Sequence, residues 1–288
     1  MLFPIGVLVV IGCVIGGYVM HHGKLPVLWQ PNEFIIIIGA SIGAFIISNP
    51  PHIIKGVLKN LKVLMKGAPF NKAAYIELLQ LSFLLFKTAR TKGMLELESH
   101  IENPHESQIF AKFPKVSHDH HAMEFLCDYL RLLTMGIDNQ YAMEDVMNAE
   151  LEIHHKESHT IAHAVTLMGD GMPALGIVAA VLGVITTMGS ITEPPEILGG
   201  LIGAALVGTF TGVLVSYGFI GPMGTSMATY GEQQAKFLEC IKVGIIAHMQ
   251  GNAPQVTVEF MRKNIPSDFR PTFAEVEAAL SAEPAPAG

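Results

Sequence analysis

ALVGTFTGVLVSYGFIGP, residues 205–222, carries no charge. It has glycines at 208, 212, 218 and 221, hydroxyls at Thr209, Thr211 and Ser216, and a proline at 222. An uncharged apolar run of this length has the dimensions of a membrane-spanning helix. Wound as a helix, it places Ala205, Thr209, Gly212 and Ser216 at steps of 4, 3 and 4 on one face. The apolar run before it does the same with Gly176, Ala180, Gly183, Thr187 and Ser190. Small stripes let helix backbones approach closely in lipid. They suit either of two jobs, packing these two helices against each other or docking a helix of another chain. The single pairs Gly12/Gly16 and Gly39/Gly43 read as internal packing.

Working outward, the apolar residues fall in four blocks: Met1–Met20, Phe34–Ser48, Gly171–Ile191 and Ile197–Gly221. The second is short and is extended to Asn32 and Asn49 with polar ends. No acidic or basic residue lies inside the four blocks at their first-given limits, before that extension. The first block lacks a basic leader and a small-residue cleavage site, so it reads as a retained helix. The chain of 288 residues is half hydrophobic and only 15% charged, with mean hydropathy +0.41. The expected fold is therefore all-α: a polytopic membrane protein with four transmembrane helices and a helical cytoplasmic domain. Residues 1–50 hold helices one and two, 51–170 the cytoplasmic helical domain, 171–222 helices three and four, and 223–288 a cytoplasmic C-terminal region.

Lys and Arg set the orientation. Of 18, twelve lie between Lys55 and Lys156 and five between Lys236 and Arg270, while the turn Thr192–Glu196 has none. The positive-inside rule puts the middle region, the tail and both termini in the cytoplasm. Lys55, Lys59, Lys62 and Lys66 recur at helical spacing after the second block and suit anionic headgroups. Cys13, Cys127 and Cys240 have no metal-like spacing and are expected to be free thiols, mostly buried. The net charge of −7 is spread along the chain, which gives no footprint for nucleic acid.

Residues 51–170 are too long for a passive loop. Helices are expected at 73–89, at 122–134, where apolar positions recur at i, i+3, i+4 and i+7, and at 141–160. Pro104 and Pro114 mark turns. A further helix is expected around 226–249, and the last eight residues, SAEPAPAG, are expected to be disordered.

Among thirteen histidines, His118, His120 and His121 cluster, and His155, His159 and His163 recur at i, i+4, i+8. That spacing can bind zinc, but no Cys or carboxylate completes either set, so both read as solvated faces. There is no phosphate loop, nucleophile elbow or other catalytic constellation, so the chain is not read as an enzyme. Thr186, Thr187, Ser190, Thr209, Thr211 and Ser216 can line a wet path, but hydroxyls do not hold and release a proton near neutral pH. Any titrating acid is therefore expected from another chain. Pro173, placed in the first turn of helix three, and Pro222, placed to end or kink helix four, read as helix punctuation. The alternative is a lever for conformational coupling between ion path and cytoplasmic domain.

The run Ala205-Leu206, Gly208-Thr209-Phe210, Gly212, Leu214, then Pro222, resembles the signature of the MotA/PomA family of flagellar stator subunits. PALGIVAAVLGV (173–184), IENPHESQIF (101–110) and VLVVIGCVIGGYVM (7–20) are similar to that family too, so the resemblance covers nearly the whole chain. It implies a stator subunit of the bacterial inner membrane. Such subunits form a pentamer around a dimer of a MotB-like subunit, whose single membrane helix carries the ion-binding Asp. It implies that Gly176, Ala180, Gly183, Thr187, Thr209 and Gly212 line the ion pathway and pack the partner helix. It also implies that Arg90 and Glu98, with Glu150 as a further candidate, contact the rotor switch protein FliG.

Family members with Thr at the position of Ala180 are sodium-type and those with Ala are proton-type, whereas Thr209 is shared. The resemblance thus implies H+ as the transported ion, with no other cofactor. Alternatives are a sodium-driven stator subunit, a solitary channel or transporter, and a scaffold. Relatives of the ExbB/TolQ type have three membrane helices rather than four.

Overall fold

The computed structural model describes residues 2–67 and 69–282, with helix throughout and no strand among them. The side chain of Lys66 and the tail 283–288 lie outside the described residues, so the expectation of disorder there is untouched. Ser281, the first residue of that stretch, is the last residue of a helix.

In chain order, α1 is Leu2–Met20. The short helices α2, Leu25–Leu28, and α3, Pro31–Phe34, follow. A π-turn over Ile35–Gly39 joins α3 to α4, Ala40–Ser48. Next come α5, Pro51–Lys66, α6, Lys72–Lys92, and α7, Met94–Glu102. A 3-10 turn at Phe110–Lys112 precedes α8, Pro114–Ser117, and α9, His120–Thr134. The two longest stretches are α10, Gln140–Met188, and α11, Pro195–Val215, which runs through a π-turn at Ser216–Ile220 into α12, Gly221–Met249. The chain closes with α13, Pro254–Asn264, and α14, Phe273–Ser281.

Four stretches are long and apolar enough to cross a membrane: Leu2–Met20, Leu25–Ser48, and segments within Gln140–Met188 and Pro195–Met249. The sequence boundaries at 170/171 and 222/223 therefore fall inside continuous helices. The helix expected at 141–160 and the third span are one element, and the helix expected at 226–249 continues the fourth.

The chain forms two compact units, residues 1–67 with 157–230, and residues 68–156 with 231–288. In the first unit, α1 buries none of its residues. α5 is amphipathic, with Val57, Leu61 and Leu64 packed on Ala162, Val165 and Met227. Its Lys55, Lys59 and Lys62 are exposed. Hydroxyls inside the spans bond back to their own helices, as Ser41 Oγ does to the Ile37 carbonyl at 2.7 Å. Lipid offers them no other acceptor.

The second unit is built on aromatics. Phe237 packs on Phe70 and Tyr75 with ring centroids 5.2 and 5.1 Å apart. Tyr75, Leu78, Leu81, Leu85 and Phe86 of α6 are all at most 1% exposed. Asn71 caps α6 by accepting from Ala74 N, and Thr272 and Glu275 form a reciprocal capping box on α14. Cys127 and Cys240 are buried free thiols, whereas Cys13 is exposed. Burial pushes the Cys127 thiol up to about 12.

Candidate functional site

The small residues of α10 and α11 meet each other. A Cβ on Gly183 would fall 3.0 Å from Ala205 Cα. On Gly176 it would fall 3.0 Å from the Gly208 carbonyl and 3.1 Å from Gly212 Cα. On Gly212 it would fall 2.7 Å from the Met172 carbonyl. These neighbours are backbone atoms, so glycine is needed for the helices to come this close.

The seam continues beyond the π-turn, where a Cβ on Gly169 would fall 3.2 Å from Gly221 N and one on Gly224 would fall 3.3 Å from the Ala162 carbonyl. Between Gly176/Gly212 and Gly169/Gly221, seven residues of α10 are matched by nine on the other side. The π-turn on that side takes up part of the surplus. Of the two jobs open to the stripes, packing the third and fourth helices together is the one realised within the chain. Gly12, Gly16, Gly39 and Gly43 differ from the expectation of internal packing, because a Cβ at any of them would meet nothing within 4 Å.

Thr187 is buried and donates to the Gly183 carbonyl at 2.9 Å, which leaves its lone pairs free to accept. Ala180 and Thr209 are half-buried at the same seam. Pro173 is not in a first turn: it lies deep inside α10, 33 residues after Gln140. Pro222 does not end its helix either. It is the second residue of α12, directly after the π-turn. A π-turn loosens the i→i−4 ladder, so the proline's missing N–H and bulky ring are absorbed there rather than by a break.

A second departure concerns charge. The second span begins at Leu25 rather than near Asn32, and it contains Glu33. This carboxylate is 8% exposed, and its Oε2 has no hydrogen-bond partner. The expectation of no acid inside the spans is therefore corrected. The signal was legible in Gln30-Pro31-Asn32-Glu33, where Pro31 starts a helical turn that carries the acid into the membrane run.

In the second unit, Arg90 and Glu98 are both exposed, on the last turn of α6 and the middle of α7. Gly93, at φ 92°, makes the corner that joins the two helices, a conformation glycine adopts freely. Arg90 Nη1 donates to the Asn252 carbonyl at 3.3 Å, which steadies its stem while the side chain stays exposed. Leu97 and Ile101 anchor α7 to the core. Glu150 is not on that corner. It accepts from the Tyr129 hydroxyl at 2.6 Å, and burial together with that bond pushes the phenol above its ordinary value.

The IENPHESQIF segment is a turn in which Ser107 Oγ accepts from Ile109 N and contacts His100 Nδ1 at 2.9 Å. His121 and His154 pack edge to face at 5.0 Å, and His159 and His163 stack at 6.0 Å. Among the described residues no group of three or more His, Cys, Asp or Glu is placed to hold a metal.

Comparison with known proteins agrees with this architecture. Residues 4–93 match the motility protein A N-terminal family, and residues 117–239 match the MotA/TolQ/ExbB proton channel family. Motility protein A of Escherichia coli (strain K12) is 44% identical over 282 residues, covering 98% of this chain and 96% of that protein. Chemotaxis protein LafT of Vibrio parahaemolyticus is 36% identical, covering 96% of this chain and 97% of that protein. The flagellar MotAB stator complex from Bacillus subtilis contains a chain of 25% identity and TM-score 0.75, with 97% of this chain and 98% of that one covered. The C. jejuni MotAB structure, at 21% identity and TM-score 0.77, covers 92% and 96% and shares the fold. With four membrane spans, the paired small-residue seam and near full-length identity to motility proteins, the chain belongs to the motility protein A (MotA) family.

Proposed function

We propose that this chain is a stator subunit of the bacterial flagellar motor, forming with a MotB-like subunit a complex that turns ion flow into torque on the rotor. The observation that carries the reading is 44% identity to a motility protein over 98% of the chain. The match to a MotAB stator complex at TM-score 0.75 supports it. The partner brings the ion-binding aspartate, and several copies, five by family resemblance, surround it in the inner membrane with both termini cytoplasmic. Open space around Gly12, Gly16, Gly39 and Gly43, and the bare apolar surface of α1, suit contacts with neighbouring copies and lipid. A span without any acid would argue against a solitary channel. Glu33 removes that premise, and the relationship to MotAB now carries the choice.

The transported ion is H+, because Ala180 offers no hydroxyl where a desolvated sodium ion would want an oxygen ligand. One charge falling through 100 mV releases about 2.3 kcal/mol, which drives relative motion of the subunits. Torque leaves through the exposed Arg90 and Glu98 at the Gly93 corner, which meet opposite charges on FliG. Such exposed pairs are weak and salt-screened, which suits a surface that must engage and release repeatedly. Glu150, tied to Tyr129, stiffens the α9–α10 pair instead.

The test is proton uptake and swimming in cells expressing the chain with and without a MotB-like partner. Conduction and motility are expected only with the partner, and conduction by the chain alone overturns the reading. Swimming that needs sodium at fixed pH overturns the choice of ion. Arg90→Glu with Glu98→Lys is expected to abolish swimming with membrane levels unchanged; unimpaired swimming removes the two residues from the torque surface.

A further inference from the structure

Glu33 is a buried acid of the first unit that the mechanism above leaves idle. It is the ninth residue of the Leu25–Ser48 span, 8% exposed, and its Oε2 has no hydrogen-bond partner among the described residues. Gly208 makes the room for it. A Cβ on Gly208 would lie 2.8 Å from Glu33 Oε2, 3.0 Å from Ala179 Cβ and 3.2 Å from Ala180 N. The carboxyl therefore ends at the crossing of α10 and α11, at the level of Ala179 and Ala180. Any side chain at residue 208 would displace it.

Burying an acid without a donor costs far more than burying an apolar residue. A position that needed only packing in lipid would be better served by leucine or methionine. Ionisable groups inside spans are expensive and usually mark an ion route. Among the described residues the site presents a single carboxyl and no second acidic ligand, too few oxygens for a hard cation such as Ca2+ or Mg2+, which takes six or more. A proton needs only one.

We propose that Glu33 is a second proton-binding group on the ion path, in series with the acid of the partner subunit. The inference rests on the reading of this chain as an ion-conducting stator subunit. In the step, an O–H bond forms on the Glu33 carboxylate as a hydronium ion reverts to water. That bond breaks when the proton passes, directly or through water, to the partner's carboxylate.

The experiment uses the full chain co-expressed with its partner in membrane vesicles, with proton flux normalised to the amount of both subunits. Wild-type flux that depends on the partner confirms the conducting complex independently of Glu33; its absence counts against the proposed function itself. Given that flux, Glu33→Gln keeps the shape and polarity of the side chain and is expected to lower flux at least tenfold. Glu33→Asp, which restores a titrating group, is expected to recover most of it. Dicyclohexylcarbodiimide, which reacts with protonated carboxyls in apolar surroundings, is expected to leave a mass-detectable adduct on Glu33 whose yield falls as pH rises. Glu33→Gln flux within twofold of wild type overturns the proposal. So does a Gln-induced loss that Asp does not recover, or the lack of a pH-dependent adduct on Glu33.

Discussion

The two units solve the problem of cohesion in opposite ways. Along α10 and α11 the closest contacts at Gly176 and Gly212 are with backbone, while large side chains such as Ile177, Val181, Ile185, Leu206 and Phe210 point away and are exposed. In the second unit large side chains turn inward, and Tyr75, Phe86, Phe110, Phe113 and Phe237 are at most 1% exposed. Water rewards burial of apolar surface. Lipid does not, so helices there are held by close approach and dispersion. The same kinds of residue are sorted by different solvents into an open seam and a closed core.

The largest effect expected from breaking this contrast is at the seam. Gly212→Leu drives a side chain into the Met172 carbonyl and the Gly176 backbone, neither of which can swing aside. Loss of the chain from the membrane and of all motility is expected, read by immunoblot and swim plate. Gly171→Ala, where a Cβ meets nothing within 4 Å, is expected to leave both unchanged. If the two variants behave alike, the seam is not what holds α10 to α11.

In the core the cost is graded. Leu85→Ala, at a site with 0% exposure, is expected to destabilise by about 2–5 kcal/mol through lost transfer energy and a cavity. Denaturant melts of the detergent-solubilised protein followed by tryptophan-independent circular dichroism check it. Tyr129→Phe removes one hydrogen bond, to Glu150, and is expected to cost about 1 kcal/mol by the same assay.

The smallest effect is at the edge of the second unit. Lys72 Nζ and the Thr272 N–H hold the Glu275 carboxyl down at about 2, Lys72 contributing most. A depressed acid stabilises the fold fully above the ordinary carboxylate range, and that contribution is lost as pH falls toward about 2. Lys72→Ala is therefore expected to flatten the acid side of the stability curve slightly and leave it unchanged near neutrality. A steeper acid loss in the variant would refute the assignment.

Much of this was legible in the linear order of residues. Four uncharged apolar runs announce four spans because lipid demands about 20 such residues in a row. The period of small residues at 176, 180, 183 and 187, and at 205, 209, 212 and 216, marks one face of each helix because the α-helix repeats every 3.6 residues. The heptad-like apolar pattern at 122–134 located α9. Arg90 and Glu98 were drawn out by family likeness, and no charge pattern alone would have separated them from an ordinary solvated face.

Three things needed the folded chain. Prolines 173 and 222 look like helix ends, since proline usually punctuates; whether a helix survives one depends on the π-turn and the neighbours that take up the strain. Which partner a small stripe meets is a question of register between segments far apart in the chain, and only the packing of Gly176 on Gly212 answers it. Glu33 looks like a polar rim until the chain folds, because its burial comes from the hollow at Gly208, 175 residues downstream. Local sequence, then, determined what each segment is, because hydropathy and helical period act over a few turns. Tertiary structure decided what each segment touches, because close approach in lipid is a property of two surfaces and not of either one.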